Sequence, residues 1–483
     1  MKKSLGELAT ALGMSLKPEW QTVEISGIAE DSRGVRPGDL FVAIRGYVDD
    51  GHRYIDEAVA RGASAVIVDE QYGSDSQIRA VPFIRTENTR KALARLASTF
   101  WGRPTAELYT VGVTGTNGKT TVCHLVVDLL GESETSLITT IANETRNLRA
   151  TTTPSSLIIQ QIAHDALAVG QKNLVVEVSS ASLPLYRVDA VDFNVAVFTN
   201  LTHDHLDFHG DRERYLEAKL MLFRDLKPAA SAIANLDDTA AERVLAATPG
   251  RPFTFAVHRD ADLRATDIRY DRHETVFALR WEGKKAATTL RLPGAHNVLN
   301  ALAAASVGIQ HGLSLQTIAK RLARAENVEG RYQRFRARNG ATVIVDFAHS
   351  PDALERMLEA MRPFHTRLIC VFGCPGQSDR GKRPLMGEIS GRLAELTILT
   401  ADNPKTEDPE RIIDEIETGL KPTGGRHERI IDRREAIRRA LNQARSTDAV
   451  LIAGKGHETY QIVGYEFVPY SDAGFLREEG LVE

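Results

Sequence analysis

Cysteine is scarce: Cys123, Cys370 and Cys374 are the only three in a chain of 483 residues. An odd number at that spacing suits neither a disulfide framework nor a zinc site, so a reducing, cytoplasmic setting is expected. Long apolar runs are missing as well. No stretch approaches the ~20 residues of a membrane helix. The lysines that open MKKSLGELATALGMS are soon followed by Glu7, so neither export nor membrane insertion is expected. Basic charge is not in excess, since 60 Lys and Arg stand against 64 Asp and Glu. That balance gives nucleic-acid binding no support. Low-complexity tracts and internal repeats are also lacking, so the parts of the chain are joined by short hinges.

The chain is too long for one core, and two or three domains are expected. The first stretch alternates short apolar runs with turns (LFVAIRGY, ASAVIVDE, AVPFIRTE) and reads as a small α/β domain over residues 1–88. The second, 89–335, opens with the helical TRKALARLASTFWG. It then alternates strands and helices through YTVGVTG, NLVVEVSS, FNVAVFTNL, SAIANL and HNVLNALAAASVGIQHG. That alternation predicts a mostly parallel sheet covered on both faces. The third, 336–483, repeats the pattern in ATVIVDFAHS, RLICVFGC, LTILTADNP and DAVLIAGKG, which predicts a Rossmann-like α/β domain.

VGVTGTNGKTT, residues 111–121, follows an apolar strand and precedes a helical run. Backbone N–H groups of such a turn, with the helix N-terminus, cradle phosphate oxygens. Lys119 would reach the terminal phosphates and Thr120 could ligate Mg²⁺. The stretch is not a strict GxxxxGK[ST] match, because Val113 stands where the first glycine is required. A generic glycine turn is the bland alternative.

HDHLDFHGD, residues 203–211, concentrates histidine and aspartate. A binuclear zinc hydrolase needs HxHxDH, and here Phe208 separates Asp207 from His209. Upstream, EVSS places Glu177 at the end of an apolar strand, where α/β proteins bind ligands. Downstream, RERYLEAKLMLF carries Lys219, which taken alone is an ordinary lysine.

TGTNGKT resembles the ATP loop of the Mur ligase family, a superfamily that includes folylpolyglutamate synthetases, and the likeness continues along the chain. EVSS through FTNLTHDHLDFHGDRERYLEAKLMLF, GAHNVLNALAA, EGRYQRF and VDFAHSPDAL all follow the family's order. The resemblance implies ATP binding by Gly115, Thr116, Asn117, Gly118, Lys119, Thr120, Thr121, Asn297, Asn300, Arg331, Asp346 and His349. It implies Mg²⁺ held with the help of Thr120, Glu177, His205 and a carbamylated Lys219. Lys119, Lys219, His205 and Arg331 would serve catalysis.

DSRGVRPGDLFVAIRGYVDDGHRYI is similar to the UDP-binding domain of the MurE type, which extends UDP-N-acetylmuramoyl-L-alanyl-D-glutamate by a third amino acid. The resemblance then implies that Ser32, Thr152, Thr153, Ser180 and Arg187 meet the muramoyl peptide. TADNPKTEDP and AGKGHETYQ resemble the amino-acid-recognition stretches of diaminopimelate-adding members. They imply Asp402, Asn403, Lys405, Gly454 and Glu458 as the amino-acid site.

Lys405 replaces the family's arginine, keeping the charge but losing the bidentate fork. Other departures are Ala181 for a histidine, Leu185 for a glutamine, Pro375 and Gln377 for a glycine and an aspartate, Phe347 for a tyrosine and Glu329 for a proline. The expectation is an ATP-dependent ligase adding meso-diaminopimelate in cytoplasmic peptidoglycan precursor synthesis, acting as a monomer on small molecules. The competing readings are a ligase adding lysine or another amino acid, a paralogue with a non-peptidoglycan acceptor, a folylpolyglutamate-type ligase, and a non-catalytic nucleotide-binding regulator.

Overall fold

Four short parallel strands, Gly27–Ala29, Asp39–Val42, Ala65–Asp69 and Phe83–Thr86, pair in chain order to form the first sheet. The computed structural model describes residues 1–46, 49–72, 81–148 and 151–482; Tyr47 and Val48 of the first-domain motif lie outside them. The helix Thr89–Phe100 packs on this sheet. Asn88 caps it by accepting from the amides of Arg90 and Lys91, at 3.1 and 3.0 Å. Its apolar residues Leu93, Leu96 and Phe100 recur at helical spacing and share a core with Leu5, Ile25, Leu40 and Ile67.

The chain forms two compact units, the first of residues 1–112, 130–196 and 221–230 and the second of 113–129, 197–220 and 231–483. The strands Tyr109–Thr114 and Val195–Phe198 run from one unit into the other. In the first unit, Thr135–Ile138 pairs in parallel with Asn173–Glu177. The Tyr109 amide donates to the Lys172 carbonyl and the Asn194 amide to the Thr110 carbonyl, both at 2.9 Å.

In the second unit the end of Val195–Phe198 neighbours Ser231–Asn235, which pairs in parallel with Arg251–Ala256, and that strand in turn with Leu263–Tyr270. Thr275–Trp281 and Lys284–Leu290 then continue the sheet antiparallel. The mostly parallel sheet is therefore present, with an antiparallel end that the strand-helix alternation did not foretell.

The last sheet, also in the second unit, has the order Gln333–Arg336, Thr342–Asp346, Ala449–Ala453, Leu368–Phe372, Leu396–Leu399, His427–Arg429. All its pairs are parallel except the first. The five parallel strands align their carboxyl ends, and Asp346, Gly373, Thr400 and Gly454 sit at that edge. Pro351–Met361 covers one face. Its N-cap Ser350 precedes a first-turn proline, and Leu354, Met357, Leu358 and Met361 form the buried stripe. Among the described residues no helix is long and apolar enough to cross a membrane.

Candidate active site

The strand Tyr109–Thr114 delivers the chain into a tight turn, and the helix Lys119–Leu130 starts from it. The turn needs its glycines for two reasons. Gly115 and Gly118 take φ of 152° and 85°. A Cβ would also stand 1.8 Å from Thr199 Oγ1 at the first and 2.3 Å from Asn300 Oδ1 at the second. Asn300 thus presses on the loop from the helix Ala295–Gln310, and it donates to Asn297 Oδ1 at 3.1 Å. The amides of Thr116 and Asn117 are taken by the Asn200 carbonyl and side chain, each at 2.9 Å.

Two lysines meet beneath the loop. Lys119 Nζ donates to the carbonyls of Thr116 and Gly115, at 2.8 and 3.2 Å. Lys219, on the helix Arg212–Arg224, donates to the same Gly115 carbonyl at 2.8 Å and lies over the Tyr215 ring at 4.3 Å. Burial first, then the charge on Lys119, drives the Lys219 pKa well below the ordinary lysine value. Tyr215 in turn donates to Thr116 Oγ1 at 3.1 Å, tying the helix to the loop.

The three histidines of HDHLDFHGD diverge. His203 Nε2 meets Asp379 Oδ2 at 3.2 Å, His209 packs on Tyr215 with centroids 5.0 Å apart, and His205 adopts a left-handed φ of 57° beside Asp204. That divergence fits no two-metal cluster. Asp204, which the sequence reading passed over, is the buried centre of this segment. Lys382 Nζ and His349 Nε2 stand 3.5 and 3.4 Å from its carboxylate. Burial opposes charge on Asp204, but Lys382 and His349 outweigh it and hold its pKa well below the usual range.

Arg331 reaches the loop as well, donating from Nη2 to Thr120 Oγ1 at 3.0 Å. Asn117 Nδ2 donates to Asp352 at 2.8 Å. Asp346 turns its carboxylate inward, accepting from the amides of Tyr332 and Ala348 at 2.6 and 2.8 Å, and burial raises its pKa. It therefore shapes the turn that carries Arg331. Thr121 is buried in the first turn of the helix.

The first unit holds Glu177 and the residues expected to meet the muramoyl peptide. Glu177 ends its strand with Oε2 3.3 Å from the Thr140 amide. Thr152 Oγ1 accepts from Thr140 Oγ1 at 3.1 Å, and Thr153 Oγ1 donates to the Glu177 carbonyl at 2.7 Å. Arg187 Nη1 donates to the Thr153 carbonyl at 2.6 Å, and Ser180 is buried at the start of a short turn. TTTPSS, EVSS and Arg187 are thereby brought together. Ser32 lies in a short turn, donating to Glu57 at 2.9 Å. A cavity of about 380 Å³ in this unit is lined by Arg45, Asp69, Asn88, Arg90, Leu185 and Tyr186.

At the carboxyl edge of the last sheet the two distant stretches join. Asn403 Nδ2 donates to Glu458 at 2.9 Å, and Lys455 Nζ donates to Asn403 Oδ1 and Glu458 at 3.0 and 2.7 Å. Burial raises the Glu458 pKa. A Cβ on Gly454 would stand 2.6 Å from Asp402 Oδ2. Lys405, with a left-handed φ of 51°, reaches the Gln377 carbonyl at 3.4 Å. Arg383 is buried, donating to Glu407 and Glu415 at 3.0 and 2.9 Å. The sequence reading missed Lys455 and His457 as site residues, although both lie inside AGKGHETYQ.

Comparison with known proteins follows the same order. Residues 24–101 match the family model "Mur ligase family, catalytic domain", 113–308 match "Mur ligase middle domain" and 330–456 match "Mur ligase, glutamate ligase domain". The chain is 41% identical to the UDP-N-acetylmuramoyl-L-alanyl-D-glutamate--2,6-diaminopimelate ligase of Syntrophomonas wolfei subsp. wolfei, over 97% of each chain. It is 39% identical to the protein of the same name from Caldanaerobacter subterraneus subsp. tengcongensis, over 94% of this chain and 95% of that one. A solved structure of a ligase of that name aligns with a TM-score of 0.67 and 31% identity, covering 99% of this chain and 98% of the other.

Proposed function

The chain belongs to the Mur ligase family, and from that premise we propose that it joins 2,6-diaminopimelate to UDP-N-acetylmuramoyl-L-alanyl-D-glutamate, using ATP. The observation that carries the amino-acid side is the joining of Asn403, Lys455 and Glu458, which ties TADNPKTEDP to AGKGHETYQ, with Lys405 in the first of these stretches. We assign 1–88 to UDP binding, 89–335 to ATP binding and 336–483 to the amino acid. We also infer a cytoplasmic monomer that handles small molecules and neither nucleic acid nor membrane.

In the inferred reaction the γ-carboxylate of D-glutamate attacks the γ-phosphate of ATP, and ADP leaves. The amine of diaminopimelate then attacks the acyl phosphate, loses a proton and expels phosphate. Lys119 and Arg331, both at the phosphate loop, would stabilise charge on the transferred phosphoryl group. The loop backbone, with Asn297 and Asn300 behind it, would orient the nucleotide. His349 would act through Asp204, which it helps to hold.

Of the donors the resemblance implies for Mg²⁺, the Thr120 hydroxyl and Lys219 as a carbamate, both in the second unit, offer oxygens that suit a hard cation, and His205 would add a ring nitrogen; Glu177, in the first unit, would offer a carboxylate. The buried amine of Lys219 is the supporting observation, because the neutral amine is the form that takes up carbon dioxide. Bound there, Mg²⁺ would neutralise phosphate charge during transfer. The muramoyl peptide would meet Thr152, Thr153, Ser180 and Arg187, with Ser32 on the UDP side.

Product mass after incubation with Mg-ATP, bicarbonate, the UDP-muramoyl dipeptide and single amino acids tests the reading. A diaminopimelate adduct with equal ADP release is expected. An adduct with lysine alone would overturn the amino-acid choice. No adduct from protein that binds ATP would point to a different acceptor.

A further inference from the structure

One phenyl ring gathers three nitrogen-bearing side chains in the second unit. The Arg331 guanidinium lies 4.4 Å from the Phe347 ring centroid, and the rings of His349 and His457 lie 4.5 and 5.1 Å from it. The backbone fixes this grouping. The Phe347 amide donates to the Gly330 carbonyl at 3.0 Å. A Cβ on Gly330, whose φ is 64°, would stand only 2.0 Å from the His457 nitrogen, and one on Gly456, at φ 53°, would stand 2.6 Å from the Gly330 oxygen. His457 is therefore pinned against the turn that carries Arg331, and Arg331 itself touches Thr120 of the phosphate loop.

His457 is 4% exposed, and neither of its ring nitrogens has a hydrogen-bond partner among the described residues. Leaving buried polar atoms dry is unfavourable, and a phenylalanine or leucine would fill the space without that penalty. A partner from outside the chain resolves the conflict. Its charge follows from the surroundings: Arg331, His124, His349 and Lys455 all bear on the ring and, together with burial, keep it neutral. His124, on the helix after the phosphate loop, also has a buried Nε2 without a partner among the described residues. A set of N–H donors among cationic side chains suits an anion, and the adjacent phosphate loop indicates which anion.

We propose that His457 donates a ring N–H to the terminal phosphoryl group of the bound nucleoside triphosphate, beside Arg331, and is a catalytic residue of the phosphoryl-transfer step. The proposal rests on the nucleotide-binding reading and not on which amino acid is added. It gives AGKGHETYQ two duties, since Glu458 and Gly454 serve the amino acid while His457 faces the phosphate.

Titration calorimetry with Mg-ADP and with a non-hydrolysable Mg-triphosphate analogue tests it without turnover. His457→Phe is expected to weaken the analogue about tenfold while ADP stays within about twofold, and His457→Gln to recover most of the loss. His457→Leu carries the same test should the phenylalanine variant fail to fold. Equal weakening of both nucleotides, or analogue binding like wild type, would overturn the proposal. Wild-type protein that binds neither nucleotide would overturn the nucleotide reading along with it.

Discussion

Lys219 Nζ and the carbonyl of Gly115 lie 2.8 Å apart, which places a fully buried amine directly under the phosphate loop. A charged ammonium is poorly tolerated there, because burial and Lys119 both disfavour it. The free amine is the form that forms a carbamate. Lys219→Ala is therefore expected to lower kcat by roughly a hundredfold or more, and depletion of bicarbonate to slow the wild type but not the variant. ADP release with and without added bicarbonate measures this. A variant within threefold of wild type would remove Lys219 from the chemistry.

Asp204 is the only carboxylate within 4 Å of the buried Lys382 ammonium among the described residues. Asp204→Asn leaves that ammonium without its counter-ion, which is expected to cost about 3 kcal/mol in stability. Denaturant unfolding measures it. The paired replacement Asp204→Asn with Lys382→Met should be less destabilised than the single variant, and an additive loss would contradict the pairing.

Lys405, proposed for the amino-acid site, brings a point charge whose Nζ stands 3.4 Å from the Gln377 carbonyl. Lys405→Arg restores a fork for a distal carboxylate and should raise kcat/KM for diaminopimelate over lysine by about tenfold, whereas Lys405→Ala should erase most of that preference. Competition between the two amino acids, read by product mass, decides it. An unchanged ratio in both variants would place the specificity elsewhere.

Acid should weaken the last sheet through Glu417. Burial disfavours its charge, but Arg429 and Lys421 outweigh burial and bring its pKa from 4.5 down to about 2. Since the folded value lies below the unfolded one, the stabilisation is complete above about pH 4.5 and is lost as pH falls toward about 2. Glu417→Gln should flatten stability against pH across that window and cost roughly 2–3 kcal/mol at pH 7. Melting temperatures of the two proteins over pH 2 to about 6 would show it, and parallel curves would refute it.

Much of this protein was determined locally, and local features are what a sequence shows. Gly115 and Gly118 occur where a strand turns into a helix, so the phosphate loop was legible before any contact was known. The helices were legible in their apolar spacing and caps, as with Ser350 ahead of Pro351–Met361. The antiparallel end of the central sheet was not, because strands such as Leu263–Tyr270 are half exposed and lack the continuous apolar signal of the buried parallel ones.

Tertiary structure alone decided the partners. Asp204 meets Lys382 and Asn403 meets Glu458 across 178 and 55 residues of chain. Such pairs depend on strand order, which spacing does not encode. It also decided the chemistry of single groups, for Lys219 and His457 are ordinary residues in a sequence. Burial lowers the amine pKa of the one and leaves the ring nitrogens of the other without a partner among the described residues.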